Sequence, residues 1–183
     1  MKRLILCVFA ILLFGGCLAK QGARYDYYEL KFSGDRCKNR VQNRKNIFID
    51  RVMATNLVDR RDILIVDYKN KAWFVEDSKF ITMPSEMVYK ALIDGAFSTC
   101  ELRPVFISNE NELKLKTSLI ALQVNGDQAV VTIGYEILNS LNKVKSGIVT
   151  KSVFVPDPSS ESIFAGLNKS LNLAIDDILK AVR

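Results

Sequence analysis

The 183-residue chain is 49% hydrophobic and 25% charged, so it can bury one sizeable core and need not be disordered. Its 26 basic and 20 acidic side chains leave a net charge of +6, a mild excess that does not by itself point to nucleic acid. The histidine count is zero, which excludes Ser-His-Asp and Cys-His catalysis, histidine acid–base chemistry and every His-containing zinc site.

Met1-Lys2-Arg3 precedes eleven apolar residues, Leu4 to Phe14, and then Gly15-Gly16-Cys17. A basic start, a short apolar run and a small-residue cleavage site make an export signal, and the run falls short of the roughly 20 residues a spanning helix needs. Leu13-Phe14-Gly15-Gly16-Cys17 resembles a bacterial lipobox. That resemblance implies diacylglycerol on the Cys17 thiol, cleavage after Gly16 and an N-acyl chain on the new terminus, with no other cofactor and no metal expected. The expected organisation is a signal peptide over 1–16, a lipidated tether over 17–24 and one domain over 25–183. The mature chain keeps 167 residues and a net charge of +4. Two or three acyl chains anchor stably where one binds only marginally. The protein is therefore expected on a periplasmic membrane face, and Leu18 in place of Asp after the cysteine favours the outer membrane over the inner.

Cys7 leaves with the signal and Cys17 is acylated. Cys37 and Cys100 remain, either bonded in an oxidising compartment or held as two separately buried thiols. A bond across that loop contributes about 4 kcal/mol if the geometry allows it.

Tyr25 to Phe32 alternates apolar and polar residues as a first half-buried strand, ended by Ser33-Gly34-Asp35. Arg36 to Lys45 reads as an exposed basic loop. Strands follow over Asn46–Val52 and Ile63–Tyr68, and Lys69-Asn70-Lys71 turns the chain into a partner strand, Ala72–Val75, with Trp73 expected to anchor local packing. Pro84 and Glu86 open a helix that runs to about Thr99 with Val88, Leu92 and Ala96 on one face. A short strand, Pro104–Ile107, leads to a long one in which Leu113, Leu115, Thr117, Leu119 and Ala121 share a face. Asn125-Gly126 signals a hairpin into Ala129–Leu138, and Ser146–Val155 completes a meander. Asp157-Pro158 is the expected N-cap and N1 pair of a last helix with Phe164, Leu167, Leu171, Ala174, Ile178 and Val182 inward. Asn168, Lys169, Asn172, Asp176 and Lys180 form its expected solvent face.

There is neither a Gly-x-x-x-x-Gly-Lys-Ser/Thr loop nor a Gly-x-Gly-x-x-Gly turn, so ATP or NAD binding by either route is not expected. Asp50, Asp59, Asp62, Asp67, Glu76 and Asp77 read as solvated strand ends and turns, and no catalytic residue is assigned. Arg36, Lys38, Arg40, Arg44 and Lys45 form the candidate binding feature, for anionic lipid headgroups or an acidic partner surface, against the plainer reading of a solvated loop. Export removes nucleic acid as a partner. Tyr25, Tyr27 and Tyr28 are expected to pack beneath a helix rather than to form a stacking surface.

The order of these motifs resembles the auxiliary lipoprotein component of bacterial ABC-type transport systems, the partners of MCE-domain (mammalian cell entry) proteins. The carriers are Cys17, Tyr27-Tyr28-Glu29-Leu30, Ile47-Phe48-Ile49, Leu57-Val58-Asp59-Arg60 leading into Ile63-Leu64-Ile65-Val66, the Met83-Pro84 to Ala96 helix, the strand pair around Asn125-Gly126 and the Ser159 to Val182 helix. The resemblance implies an α/β (α+β) fold with a mixed, largely antiparallel sheet and two main helices, similar to the amino-terminal domain of TolB. It further implies a non-enzymatic adaptor for phospholipid transport between inner and outer membranes, bound to an MCE-domain protein and through it to a permease and an ATPase. Self-association stays open, as does the alternative of a lipid-binding carrier or sensor.

Overall fold

The computed structural model describes residues 24–35, 37–38, 41–109, 112–139 and 142–183. It is a mixed α+β fold: one nine-stranded, mostly antiparallel sheet with two helices. The strands are β1 (Asp26–Tyr28), β2 (Lys45–Ile49), β3 (Met53–Ala54), β4 (Asp62–Val66), β5 (Ala72–Phe80), β6 (Leu102–Val105), β7 (Leu113–Asn125), β8 (Gln128–Asn139) and β9 (Asn142–Phe154). Helix α1 (Pro84–Ser98) joins β5 to β6, and α2 (Ser160–Val182) closes the chain.

The 13-residue β7 is the spine. On one edge it pairs antiparallel with β8 along its whole length, from Lys114↔Leu138 to Asn125↔Gln128. The other edge is tiled by three short parallel strands in succession, β2 at Leu113–Leu115, β3 at Ser118–Leu119 and β4 at Gln123–Asn125. Between them β2, β3 and β4 behave as one interrupted strand whose breaks carry the polar connection 55–61.

The alternation expected for β7 holds only to Leu119. A bulge sets Leu119 opposite Ile133 and Ala121 opposite Thr132, so Ile120 is the extra residue. The phase then flips, and Leu122 and Val124 become the buried positions in place of Ala121, while Ile120 turns to solvent. At the end of the strand Gly126 takes φ +59°, the left-handed geometry the hairpin needs, under the ring of Tyr68.

Both helices pack on the sheet and on each other. All six expected apolar positions of α2 are buried, joined by Ile163, Ile175 and Leu179, which face Ala129, Val131 and Ile133 of β8 in one core. Gly95 allows α1 to approach α2, since a Cβ there would stand 2.9 Å from both Ile175 Cγ2 and Leu179 Cδ1. The cap of α2 is Ser159 rather than Asp157: the Ser159 hydroxyl accepts from the Ser162 N–H, and Asp157 accepts from the Ser159 N–H at 2.9 Å and the Ser162 hydroxyl at 2.7 Å. Met83 gives α1 no side-chain cap, and Asp59, from the loop before β4, accepts the Ser85 N–H at 2.9 Å instead.

The first strand is shorter than its alternation suggests. Only Asp26–Tyr28 joins the sheet, parallel to β5 at Ser78–Phe80. Beyond it the chain leaves the ladder, and asparagines of α2 take the place of a neighbouring strand. The Lys31 N–H donates to Asn168 Oδ1 at 2.8 Å, the Ser33 N–H donates to Asn172 Oδ1 at 2.7 Å, and Asn172 Nδ2 donates to the Lys31 carbonyl at 2.9 Å. Two residues expected on a solvent face are thus backbone clamps. Asn172→Ala should cost about 1 kcal/mol in urea denaturation and selectively accelerate amide exchange at Ser33.

Candidate functional site

The domain has two distinct ends, set by the direction of β7. At its start lie the first residues of β2 and β6, with Lys45 opposite Leu102 and Ile47 opposite Leu113. At its finish lie the β4–β5 hairpin and the β9–α2 connection. Thirteen residues of strand separate the two ends by about 40 Å.

The first end carries the predicted basic loop. Cys37 and Cys100 are bonded, with Cα atoms 5.2 Å apart, and the Cys37 N–H donates to the Ser98 carbonyl at 2.8 Å, so the loop is stapled to the end of α1. Gln42, Asn43, Arg44, Lys45 and Arg103 line a polar cleft of about 330 Å³. Arg44 Nη1 is buried with no hydrogen-bond partner, and Lys45 Nζ donates to the Arg183 carbonyl at 2.5 Å. Lys38 is exposed, and Arg36 and Arg40 lie outside the described residues. Of the five predicted cations, the structure brings Arg44 and Lys45 together and adds Arg103. That residue arrives because Asn46 pairs with Arg103 across β2 and β6 and accepts from its Nε at 2.7 Å. Only the strand pairing, and no local motif, could have pointed to it.

The second end holds an open apolar groove of about 800 Å³ between the β4–β5 hairpin and the β9–α2 connection, with Ile65, Tyr68, Trp73, Phe74, Phe154 and Pro156 among its lining residues. Trp73 does not anchor a core. It is 43% exposed, beside Tyr68 at 81% and Phe154 at 59%. Asp67 is held in the hairpin by accepting from the Lys69 and Lys71 N–H groups, each at 2.8 Å. No single segment announced this groove, because four separate stretches build it. A lesser trough on the open sheet face, about 490 Å³, is lined by Met53, Ile120, Tyr135 and Ile148.

The tyrosines divide. Tyr28 stacks on Phe164 of α2, with ring centroids 3.8 Å apart, as expected. Tyr27 stays 53% exposed under the Arg61 guanidinium, and Tyr25 lies beneath Lys79 Nζ. The carboxylates read as solvated include several with structural partners. Asp59 caps α1, Asp62 sits 3.1 Å from Lys79 and 3.2 Å from Arg60, and Asp77 accepts from the Ser78 and Ser160 hydroxyls at 3.1 Å each. Among the described residues no three acidic or cysteine side chains are grouped to hold a metal, and no helix is long and apolar enough to cross a membrane. Gly16 and Cys17 lie outside the described residues.

No known family model matches the chain, and no curated protein does. Solved structures do. A protein described only as uncharacterized superposes with a TM-score of 0.74 at 6% identity, over 87% of this chain and 99% of its own. Protein XCC0632 from Xanthomonas campestris, of the DUF330 family, gives 0.74 at 11% identity over 84% and 92% of the two chains. The hypothetical protein CT253 from Chlamydia trachomatis gives 0.53 at 7% identity over 76% and 95%. At such identities the likeness is one of fold alone.

Two outcomes follow from the bonds described here. Burial pushes the Asp62 carboxyl up, but hydrogen bonds from Lys79 and Arg60 outweigh it, and the group titrates below its ordinary range. Asp157 is lowered by the Ser159 and Ser162 donors, and Asp177 by Lys151. Carboxylates depressed in the folded state stabilise it above their unfolded values near 4, and that contribution is lost as the pH falls through the lower folded values. Urea midpoints should therefore hold from about pH 7 to 5 and drop below about pH 4. Reducing the Cys37–Cys100 bond, which closes a separation of 63 residues, should lower unfolding stability by about 4 kcal/mol, read as a shift in the urea midpoint between oxidised and reduced protein.

Proposed function

We propose that the protein is a lipid-anchored periplasmic adaptor, without catalytic activity of its own, in an MCE-type ABC transport system that moves phospholipids between the inner and outer membranes. The observation that carries this reading is the polarity of the domain. β1 runs parallel to β5, so the chain joins the sheet from the direction of the β4–β5 hairpin, the end away from the basic cleft. A lipid on Cys17 would hold that hairpin end towards the membrane and leave the cleft of Arg44, Lys45 and Arg103 about 40 Å away, where its net positive charge faces an acidic surface of a partner. Positioning is then the function: the acyl chains fix the height, and the sheet, braced by α1 and α2, sets the distance.

The lipobox resemblance at Leu13–Cys17 and the motif order shared with auxiliary lipoproteins support the same reading. The membrane partner is the outer membrane, on the ground of Leu18. One observation favours a second reading, a lipid-binding carrier or sensor: the apolar groove has the size range of a small-ligand site.

Cys17→Ala should release the protein from membranes. The double variant Arg44→Glu with Arg103→Glu should stay membrane-bound while recovering at least tenfold less MCE-domain protein in affinity capture from detergent-solubilised envelopes, and Arg103→Glu alone, at an exposed position, should lose recovery in the same direction while its urea midpoint shows the domain folded. Equal recovery by the double variant would reject the basic cleft as the docking surface. Stoichiometric phospholipid without any transporter subunit would favour the carrier.

A further inference from the structure

We infer that the aromatic end of the domain, Tyr68, Trp73 and Phe154 around the apolar groove, seats in the headgroup region of the bilayer to which the protein is anchored. The inference rests on the acylated Cys17 of the proposed function and adds a second, non-covalent contact with the same membrane.

Reach selects the occupant. Asp26 is opposite Ser78, so the parallel register carried back two residues sets Arg24 level with Glu76, a groove-lining residue. From Glu76 to the tip of the β4–β5 hairpin at Asn70 is six residues, about 20 Å of strand. From Cys17 to Arg24 is seven residues, which span at most about 25 Å. A fully extended tether brings an acylated Cys17 to the level of the hairpin tip and no farther than about 5 Å beyond it. A bilayer holding those acyl chains lies against this end of the domain, and the basic cleft stands off at the far end.

The chemistry of that end suits the interface between headgroups and acyl chains. Exposed apolar side chains scattered singly are ordinary, but here a Tyr, a Trp and a Phe share one rim. Trp and Tyr concentrate at membrane interfaces because each pairs an apolar ring with a polar tip. Tyr68 is 81% exposed, and its ring lies directly over Gly126, where a Cβ would come within 2.3 Å of it. Lys69 and Lys71, exposed on the hairpin, have stems long enough to lie along apolar surface while their ammonium groups stay with phosphates. Four carboxylates line the same groove, Asp67, Glu76, Asp127 and Asp157, and the hydrogen bonds that Asp67, Asp127 and Asp157 accept within their own loops leave them charged beside the two lysines. A mixed rim of this kind matches a zwitterionic headgroup layer better than a strongly anionic one. The groove also lies open along one side, which suits a flat seat rather than the near-complete enclosure a carried ligand requires.

Trp73 is the single tryptophan of the chain and reports on this contact directly. The test uses natively processed full-length protein reconstituted into vesicles of phosphatidylethanolamine and phosphatidylglycerol, with and without bromine on the acyl chains. The mass of the N-terminal peptide is measured on the same sample. The expected result is a blue-shifted Trp73 emission that loses most of its intensity in brominated vesicles. Tyr68→Ser combined with Phe154→Ser should largely abolish that quenching, whereas Ile107→Ser, an exposed residue just beyond β6, should leave it unchanged. An acylated protein whose Trp73 is not quenched overturns the inference and leaves the anchor intact. So does an emission that is already blue-shifted but indifferent to bromine, since a second copy, a partner protein or a bound lipid then covers the groove. If Cys17 carries no lipid, the anchor reading fails on the mass alone. Adding that protein to preformed vesicles then decides the seat separately, with quenching retaining it and no quenching overturning it.

Discussion

The sheet is organised by backbone pairing along β7. That strand is bonded on both edges, to β8 throughout and to β2, β3 and β4 in succession. A strand buried on both edges has no free N–H or C=O row left to pair elsewhere, so its register fixes that of its neighbours. The bulge at Ile120 then assigns the two halves of β7 to different inward residues, Leu115 and Leu119 before it, Leu122 and Val124 after it. Without that extra residue the second half would present its apolar set to the wrong face.

The helices complete the core by two different means. α2 brings a continuous apolar stripe and its own cap, Ser159, so it is locally determined. α1 has no cap of its own and depends on Asp59 from a distant loop, and it approaches α2 at a glycine. The N-terminal segment depends on α2 in turn, because Asn168 and Asn172 supply the partners that a strand ladder would otherwise provide. These two long-range hydrogen-bond sets and the packing at Gly95 tie the start, the middle and the end of the sequence into one unit.

The ends of the domain differ in chemistry because they differ in what β7 leaves there. At one, the starts of β2 and β6 converge, and the cations of both collect beside the disulfide. At the other, two connections meet over the end of the sheet, and among the described residues neither helix covers Tyr68, Trp73 and Phe154, which stay exposed. A cationic end and an aromatic end, about 40 Å apart along β7, are the physical basis for the proposal of a spacer between a bilayer and a partner.

The sequence by itself determined most of the elements: the strand alternation, the Asn125-Gly126 turn and both amphipathic helices follow from period and punctuation, which are local properties, whereas the mixed sheet was expected only from the family resemblance. It also singled out Cys37 and Cys100 and the basic run to Lys45. What only the tertiary structure decided are the features that need two distant segments at once. Whether the cysteines meet depends on where the end of α1 comes to rest. The recruitment of Arg103 depends on a parallel pairing that no local pattern encodes, the phase shift at Ile120 on the partner strand, and the exposure of Trp73 on its place at the rim of a groove that distant segments build. Asn168 and Asn172 read as solvent-facing because polarity marks where a side chain can face water. It does not say which backbone group will reach it first.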